Sequence, residues 1–209
     1  MMRAISHWEV QPPQWIRMFY PGTFWRGDIK DKVVYLTFDD GPVPEVTEWV
    51  CKELGERRIK ATFFCVGENV VKHPELYRLL KEEGHRTGNH TYNHLPAWKC
   101  SGKEYFKNVD RGAKVIDSDL FRPPHGQLYP WQVANLKKRF GKIVMWDVLS
   151  KDYDSHLTAD EVFDNVKRNV RNGSVIVFHD SLKARPSLEK ALPQTLDHLL
   201  KEGYRFEVL

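Results

Sequence analysis

Residues 33–42 read VVYLTFDDGP: an apolar run of strand length, Val33–Phe38, that stops on Asp39, Asp40, Gly41 and Pro42. An uninterrupted run of this kind suits a parallel strand covered on both faces better than one alternating between core and solvent. Three more runs repeat the pattern at Ala61–Val66, Ile143–Trp146 and Val175–Phe178. Amphipathic segments lie between them. Val46, Trp49, Val50 and Leu54 share one helical face, and Leu76, Leu79 and Leu80 repeat that spacing before Gly84, a C-terminal cap. Strands alternating with helices imply βα units with right-handed crossovers. The number of alternations fits an α/β chain folded as a single small (β/α) barrel better than an open sheet.

Two further helices are announced by capping boxes. Ser101 with Glu104 precedes Tyr105, Phe106, Val109, Ala113 and Ile116, and Thr158 with Glu161 precedes Val162, Phe163, Val166 and Val170. Pro193 interrupts the last helical stretch, so a break or a new start is expected there. Tyr204, Phe206 and Val208 alternate as a closing strand. Residues 1–30 carry Trp8, Pro12, Pro13, Trp15, Phe19, Tyr20, Pro21, Phe24 and Trp25 without clear periodicity. They read as an aromatic arm packed on the body, with residues 31–209 as the main domain.

The 209 residues suffice for one substantial core, and 41% hydrophobic with 29% charged residues is an ordinary globular composition. Thirty-two basic against 28 acidic residues leave a formal charge of +4 spread along the chain. Nucleic-acid binding usually needs a concentrated basic stripe, so no such partner is expected. Cys51, Cys65 and Cys100 are odd in number and lack metal-ligand spacing, which favours buried thiols over a disulfide framework. No stretch approaches the ~18 apolar residues of a membrane span. The start, MMRAISHWEVQPPQW, has no apolar core of a secretory signal. The expected location of the chain as given is therefore cytoplasmic by default, with export of a longer precursor left open. Oligomeric state is not legible.

Polar residues gather just past the apolar runs: Asp39-Asp40, Asp147 and Asp152, and His179-Asp180. In a βα barrel the reacting groups sit at the carboxyl ends of strands, so periodicity and chemistry select the same rim. Asp39-Asp40 is also good turn chemistry before a helix. That explains Gly41 and Pro42, but not two adjacent carboxylates at a strand end, where unpaired like charges are costly without a cation. His90 and His94, in GHRTGNHTYNH, can present two nitrogens to one metal, from one helical face or from a loop. A carboxylate with two imidazoles and an open position is what a catalytic zinc requires. Taken singly, each histidine has an ordinary structural explanation; His7, His73, His85, His156 and His198 gain nothing from the constellation.

Five motifs in order give the chain its resemblance. They are Thr37-Phe-Asp-Asp-Gly41, His90-Thr-Tyr-Asn-His94, Arg122-Pro-Pro-His-Gly126, Asp152-Tyr153 and Val177-Phe-His179. From about Asp31 onward the chain resembles the polysaccharide deacetylase family, the NodB-homology domain of carbohydrate esterase family 4. The resemblance implies a NodB-like distorted barrel. It implies Asp40, His90 and His94 as ligands of one divalent metal, zinc first with cobalt, nickel or manganese as alternatives. Asp39 would be the general base, Arg122 its holder, His179 the general acid and Asp152 the partner that raises its pKa. The backbone N–H of His125 would form part of an oxyanion hole, and Tyr153 and Val177 would line the substrate pocket.

The chemistry is coherent without the family name. A metal lowers the pKa of a bound water to about 7, a nearby carboxylate takes its proton, and a charged histidine protonates a departing amine. The implied activity is removal of N-acetyl groups from the amino sugars of a polysaccharide or oligosaccharide, the N-acetylated glycan being the expected partner. The alternatives are hydrolysis of another amide or an acetyl ester on the same scaffold, and a non-catalytic glycan-binding module. Three departures from the family pattern bear on the pocket: His125 stands where an aromatic is usual, Tyr153 replaces a common tryptophan, and Val177 replaces leucine.

Overall fold

The computed structural model describes residues 10–209; Trp8 and His7 lie outside them. The run that opens the argument forms a strand one residue longer than its apolar part, Val33–Asp39. In chain order the strands are β1 (Thr23–Phe24), β2 (Val33–Asp39), β3 (Thr62–Cys65), β4 (Arg86–Asn89), β5 (Leu120–Phe121), β6 (Lys142–Val144), β7 (Val148–Leu149), β8 (Val175–His179) and β9 (Arg205–Phe206). The helices are α1 (Gln14–Met18), α2 (Val46–Glu56), α3 (Gly67–Lys72), α4 (Pro74–Glu82), α5 (Gly102–Ala113), α6 (Pro130–Leu136), α7 (Ala159–Asn169) and α8 (Arg185–Lys201).

The strands pair in the order β1-β6-β5-β4-β3-β2-β8-β7, with β9 added to the start of β2, and every ladder is parallel. Only residues 145–147 separate β6, near one end of this path, from β7 at the other. So short a link spans at most about 14 Å, which obliges the sheet to curl until its two sides meet. Among the described residues no ladder joins β1 to β7, so the curl is a distorted (β/α) barrel, open on that side.

Alternation along β2 and β8 decides what enters the barrel. Val34, Leu36 and Phe38, with Ile176 and Phe178, face outward into the large core made with α2, α7 and α8. Phe64, Leu120, Val144 and Val175, with Phe24 and Tyr35 against them, fill the interior. The inward set of β2 is thus Tyr35, Thr37 and Asp39, and that of β8 is Val175, Val177 and His179. A third cluster, including Tyr105, Val109, Phe121, Leu136 and Ile143, seats α5 and α6.

Both expected capping boxes are present, Ser101 with Glu104 and Thr158 with Glu161, and Gly84 takes φ +77° after α4. Pro193 corrects the expected break: α8 runs unbroken through it. Leu188, Leu192, Leu196 and Leu199 are fully buried on both sides of the proline, and burial of that stripe outweighs the lost backbone bond. Within the first thirty residues, β1 is an edge strand of the sheet, Trp25 is buried, and Arg17 reaches the buried Asp147 at 2.6 Å. No described helix is long and apolar enough to cross a membrane.

Candidate active site

The mouth of the barrel is built where the inward residues of β2 and β8 run out. Asp39 is the last inward residue of β2. Its successor would point away, but Asp40 takes φ +83°, and the left-handed turn swings its carboxylate back to the same mouth. The turn is braced from two sides. Asn69 Nδ2 donates to the Asp40 carbonyl at 2.8 Å, and the Gly41 N–H donates to the buried Asp180 carboxyl at 3.1 Å. A Cβ on residue 41 would lie 1.9 Å from Asp180 Oδ2, which is why glycine stands there. Asp180 also accepts from Thr47 Oγ1 at 2.6 Å. Burial pushes its pKa up to about 8.

His90 and His94 converge from a loop, not a helix. Asn89 shapes that loop: its Oδ1 accepts from the Thr91 N–H at 2.7 Å while its Nδ2 donates to Val109 O. Thr91 (φ +65°) and His94 (φ +57°) are both left-handed, a strained pairing for a β-branched residue. His90 Nδ1 lies 2.8 Å from the Arg122 carbonyl, which fixes the proton there and turns Nε2 into the mouth. Asp40 Oδ1 is then 3.8 Å from His90 Nε2 and 3.2 Å from His94 Nε2. It is buried with no hydrogen-bond partner. Burial holds the His90 pKa down to about 4, so its ring is neutral with a lone pair on Nε2. One orphaned carboxylate oxygen between two imidazole nitrogens fits a divalent cation.

Asp39 is served differently. Arg122, fully buried, donates through Nη1 to Asp39 Oδ1 at 2.6 Å and to Thr37 Oγ1 at 2.8 Å, and through Nη2 to Met145 O at 3.1 Å. Its guanidinium lies 4.1 Å from the centre of the Phe64 ring. Burial alone would raise the Asp39 pKa, but Arg122, followed by His90 and His179, reverses this and holds it below the ordinary carboxylate value. Oδ2 is left facing the mouth, 3.9 Å from His90 Nε2.

On the neighbouring strand β8, in register with Asp39, His179 Nδ1 lies 2.7 Å from Asp152 Oδ1, and the His179 backbone N–H donates to Asp152 Oδ2 at 2.8 Å. Burial disfavours the imidazolium, yet Asp152, by charge and hydrogen bond, with Asp40 and Asp39, raises its pKa to about 9. The Tyr153 ring meets His179 edge-on at 4.9 Å. His125 takes φ +56°, and its ring meets that of His94 at 4.8 Å. Burial, then His94, holds the His125 pKa below its ordinary value, with Lys99 acting in the same direction.

A cavity of about 510 Å³ joins Asp39, Asp40, His90, His94, Arg122, His125, Tyr153, Val177 and His179. Of the ten residues expected from the sequence, these nine line it directly, and Asp152 stands behind His179. Asp147 corrects the reading that put it on this rim: it is fully buried, holds Arg17 and Arg171 at 2.6 and 2.7 Å, and does not line the cavity. A second group with metal-ligating side chains, Cys51, Glu83 and His85, lies outside this cavity. His85 Nδ1 accepts the Ala61 N–H, so the neutral ring carries its proton on Nε2, and burial pushes the Cys51 thiol up to about 12.

Residues 26–143 match the family described as polysaccharide deacetylase. A peptidoglycan-N-acetylglucosamine deacetylase of Bacillus cereus is 32% identical over 188 residues, covering 87% of this chain and 88% of that protein. The chain belongs to the polysaccharide deacetylase family. A chitooligosaccharide deacetylase of Azorhizobium caulinodans is 32% identical over 155 residues, 70% of this chain and 73% of that protein. Among solved structures, a peptidoglycan N-acetylglucosamine deacetylase in complex with 4-naphthalen-1-yl-N-oxidanyl-benzamide superposes with a TM-score of 0.85. It is 31% identical and covers 95% of this chain and 94% of that one.

Within this deacetylase-family chain, several residues of the site escape the motifs. Trp146, Leu149, Ser181 and Lys183 complete the cavity wall, beside Pro123 and Gly126 of the third motif. Asn89 and Asp180 shape its loops without lining it. Trp146 is bound to Gly126, where a Cβ would lie 2.4 Å from the indole. The end of the run Ile143–Trp146 carried the only trace of it, an aromatic at the end of an apolar stretch.

Proposed function

We propose that the protein is a metal-dependent hydrolase that removes N-acetyl groups from amino sugars of a glycan, with Asp39 as base and His179 as acid. The observation that carries this reading is the placement of two differently tuned pairs, Arg122–Asp39 and Asp152–His179, side by side at the ends of β2 and β8, in one cavity that Asp40, His90 and His94 also line. A glycan-binding module has no use for an ionised base beside a charged acid.

Asp40, His90 and His94 would hold the divalent ion; two imidazoles and a carboxylate suit zinc first, with cobalt, nickel or manganese able to replace it. When bound there, the ion supplies Lewis-acid polarisation of the acetamide and a lowered pKa for water. Asp39 Oδ2 takes a proton from the attacking water, while Arg122 on Oδ1 keeps the carboxylate ionised and aimed. The His125 backbone N–H would donate to the oxygen on which negative charge develops. The carbon–nitrogen bond breaks as His179 delivers its proton to the departing amine, and Asp152 holds the imidazolium beforehand. Water and acetamide become acetate and a free amino sugar. Val177, Leu149 and Trp146 offer an apolar wall for the acetyl methyl group. For residues 10–30 we propose a packing role, since Val10 and Trp25 are buried and Arg17 is tied to Asp147.

The test is acetate release from N-acetylglucosamine oligomers by metal-loaded protein. Asp39→Asn is expected to lose on the order of 10²–10⁴ in rate, the usual scale for a positioned base. Turnover of acetyl esters with none of any glycan would select the ester reading. Glycan binding without turnover, unchanged in Asp39→Asn, would select the binding module.

A further inference from the structure

Three large aromatic side chains stand exposed on segments that leave the cavity wall: Trp98 at 54%, Tyr129 at 42% and Trp131 at 54%. Scattered exposed apolar residues are ordinary, but a group gathered in one place marks a contact surface. These three are gathered by the chain path. The rings of His94 and His125 touch in the cavity wall, and two segments leave from that contact. One passes through the 3-10 turn Ala97–Lys99, which carries Trp98; the other enters α6 and carries Tyr129 and Trp131. They meet again at the start of α5, where the Trp131 indole packs so closely on Gly102 that a Cβ there would lie 2.5 Å from it. Phe106 supports the indole edge-on at 5.9 Å. Tyr129 and Trp131 lie 6.3 Å apart with planes only 14° from parallel. The segments are thus pinned together at both ends, one of them the cavity wall itself, and the exposed rings lie on the stretches between.

What covers such a surface follows from its continuity with the site. A pyranose ring has one apolar C–H face and a polar edge, which matches an aromatic ring laid flat beside water. We propose that Trp98, Tyr129 and Trp131 form a stacking platform for the sugar residues that adjoin the one being deacetylated, so that the protein favours longer glycan chains. The proposal rests on the deacetylase reading of the cavity and extends it to the neighbouring sugars.

The experiment compares kcat/KM on the N-acetylglucosamine dimer and hexamer, with hexamer affinity measured separately by calorimetry. In Trp131→Ala the hexamer-to-dimer ratio is expected to fall about tenfold, the scale of one lost aromatic contact, and Trp131→Phe to restore most of it. Trp98→Ala, at a ring with no aromatic partner among the described residues, gives the same test where the Trp131 variant fails to fold. A loss equal on dimer and hexamer, or an unchanged ratio, overturns the platform. So does a change of oligomeric state with the ratio intact, which would make the patch a self-association face. Should the wild-type protein hydrolyse no oligomer, the deacetylase reading fails, and calorimetry still decides the platform. Hexamer binding weakened by both substitutions supports it, and absence of hexamer binding overturns it.

Discussion

Asp39 offers its two carboxylate oxygens to different neighbours: Oδ1 is held by Arg122 at 2.6 Å, and Oδ2 faces the mouth. Asp40, its chain neighbour, has an oxygen buried between two imidazoles and bonded to nothing. On the proposed reading, a single left-handed residue thus separates a base from a ligand. His179 is the complementary case, an imidazole whose charge is sustained by Asp152 against its own burial. Its pKa of about 9 lies above the unfolded value near 6.5, so the stabilisation it brings is complete below about pH 6.5 and fades as pH rises through 9. As the proposed acid it must hold its proton, so activity is expected to fall along the same alkaline limb. Asp152→Asn removes the partner that opposes burial. The alkaline limb of the kcat profile should then move to lower pH, while the acid limb, set by Asp39, stays in place. A pH–rate profile of the two proteins checks this, and an unmoved alkaline limb would give the acid role to another group.

The loops and helices that carry these residues differ in how openly the sequence declares them. Apolar runs and capping boxes gave β2, β3, β8, α5 and α7 because burial on both faces and reciprocal caps leave composition behind. β4, Arg86–Asn89, leaves none: its Gly88 yields room to Phe64, and Asn89 is spent on the loop that carries the histidines. β5 and β7 are two residues each, too short for a period to show. Most of the residues that line the cavity were legible through motifs, whereas Asn89 and Asp180, which shape the loops, were not, because a polar residue that braces a turn looks like any other turn residue. Pro193 misled in the opposite direction, since a local rule was overruled by a buried leucine stripe. That conflict has a measurable consequence. Proline costs a helix interior about 3 kcal/mol relative to alanine, so Pro193→Ala should stabilise the protein by roughly 1–3 kcal/mol once the Glu189 carbonyl regains a donor. Urea denaturation checks it, with a rise in midpoint at constant slope and no change in activity expected.

Across the whole molecule, the candidate metal site joins the loop after β2 to the loop after β4, two strands that are not neighbours but flank β3. An ion that binds only this folded arrangement stabilises the native state by mass action, about 2.7 kcal/mol at a hundred times its dissociation constant. For a chain of this size that corresponds to a rise in Tm on the order of 5–10 °C. The division of labour between the two aspartates then becomes a statement about global stability. Asp40→Asn weakens a ligand, so zinc should lift its Tm far less than it lifts the wild-type protein, and chelation should change it little. Asp39→Asn leaves all three ligands in place, so zinc should raise its Tm nearly as in the wild type although its rate is lost. Thermal melts of the three proteins, with chelator and with added zinc, distinguish the roles without any measurement of turnover. Equal loss of the zinc increment in both variants would mean that Asp39 also reaches the ion, and the base would have to be sought elsewhere in the cavity.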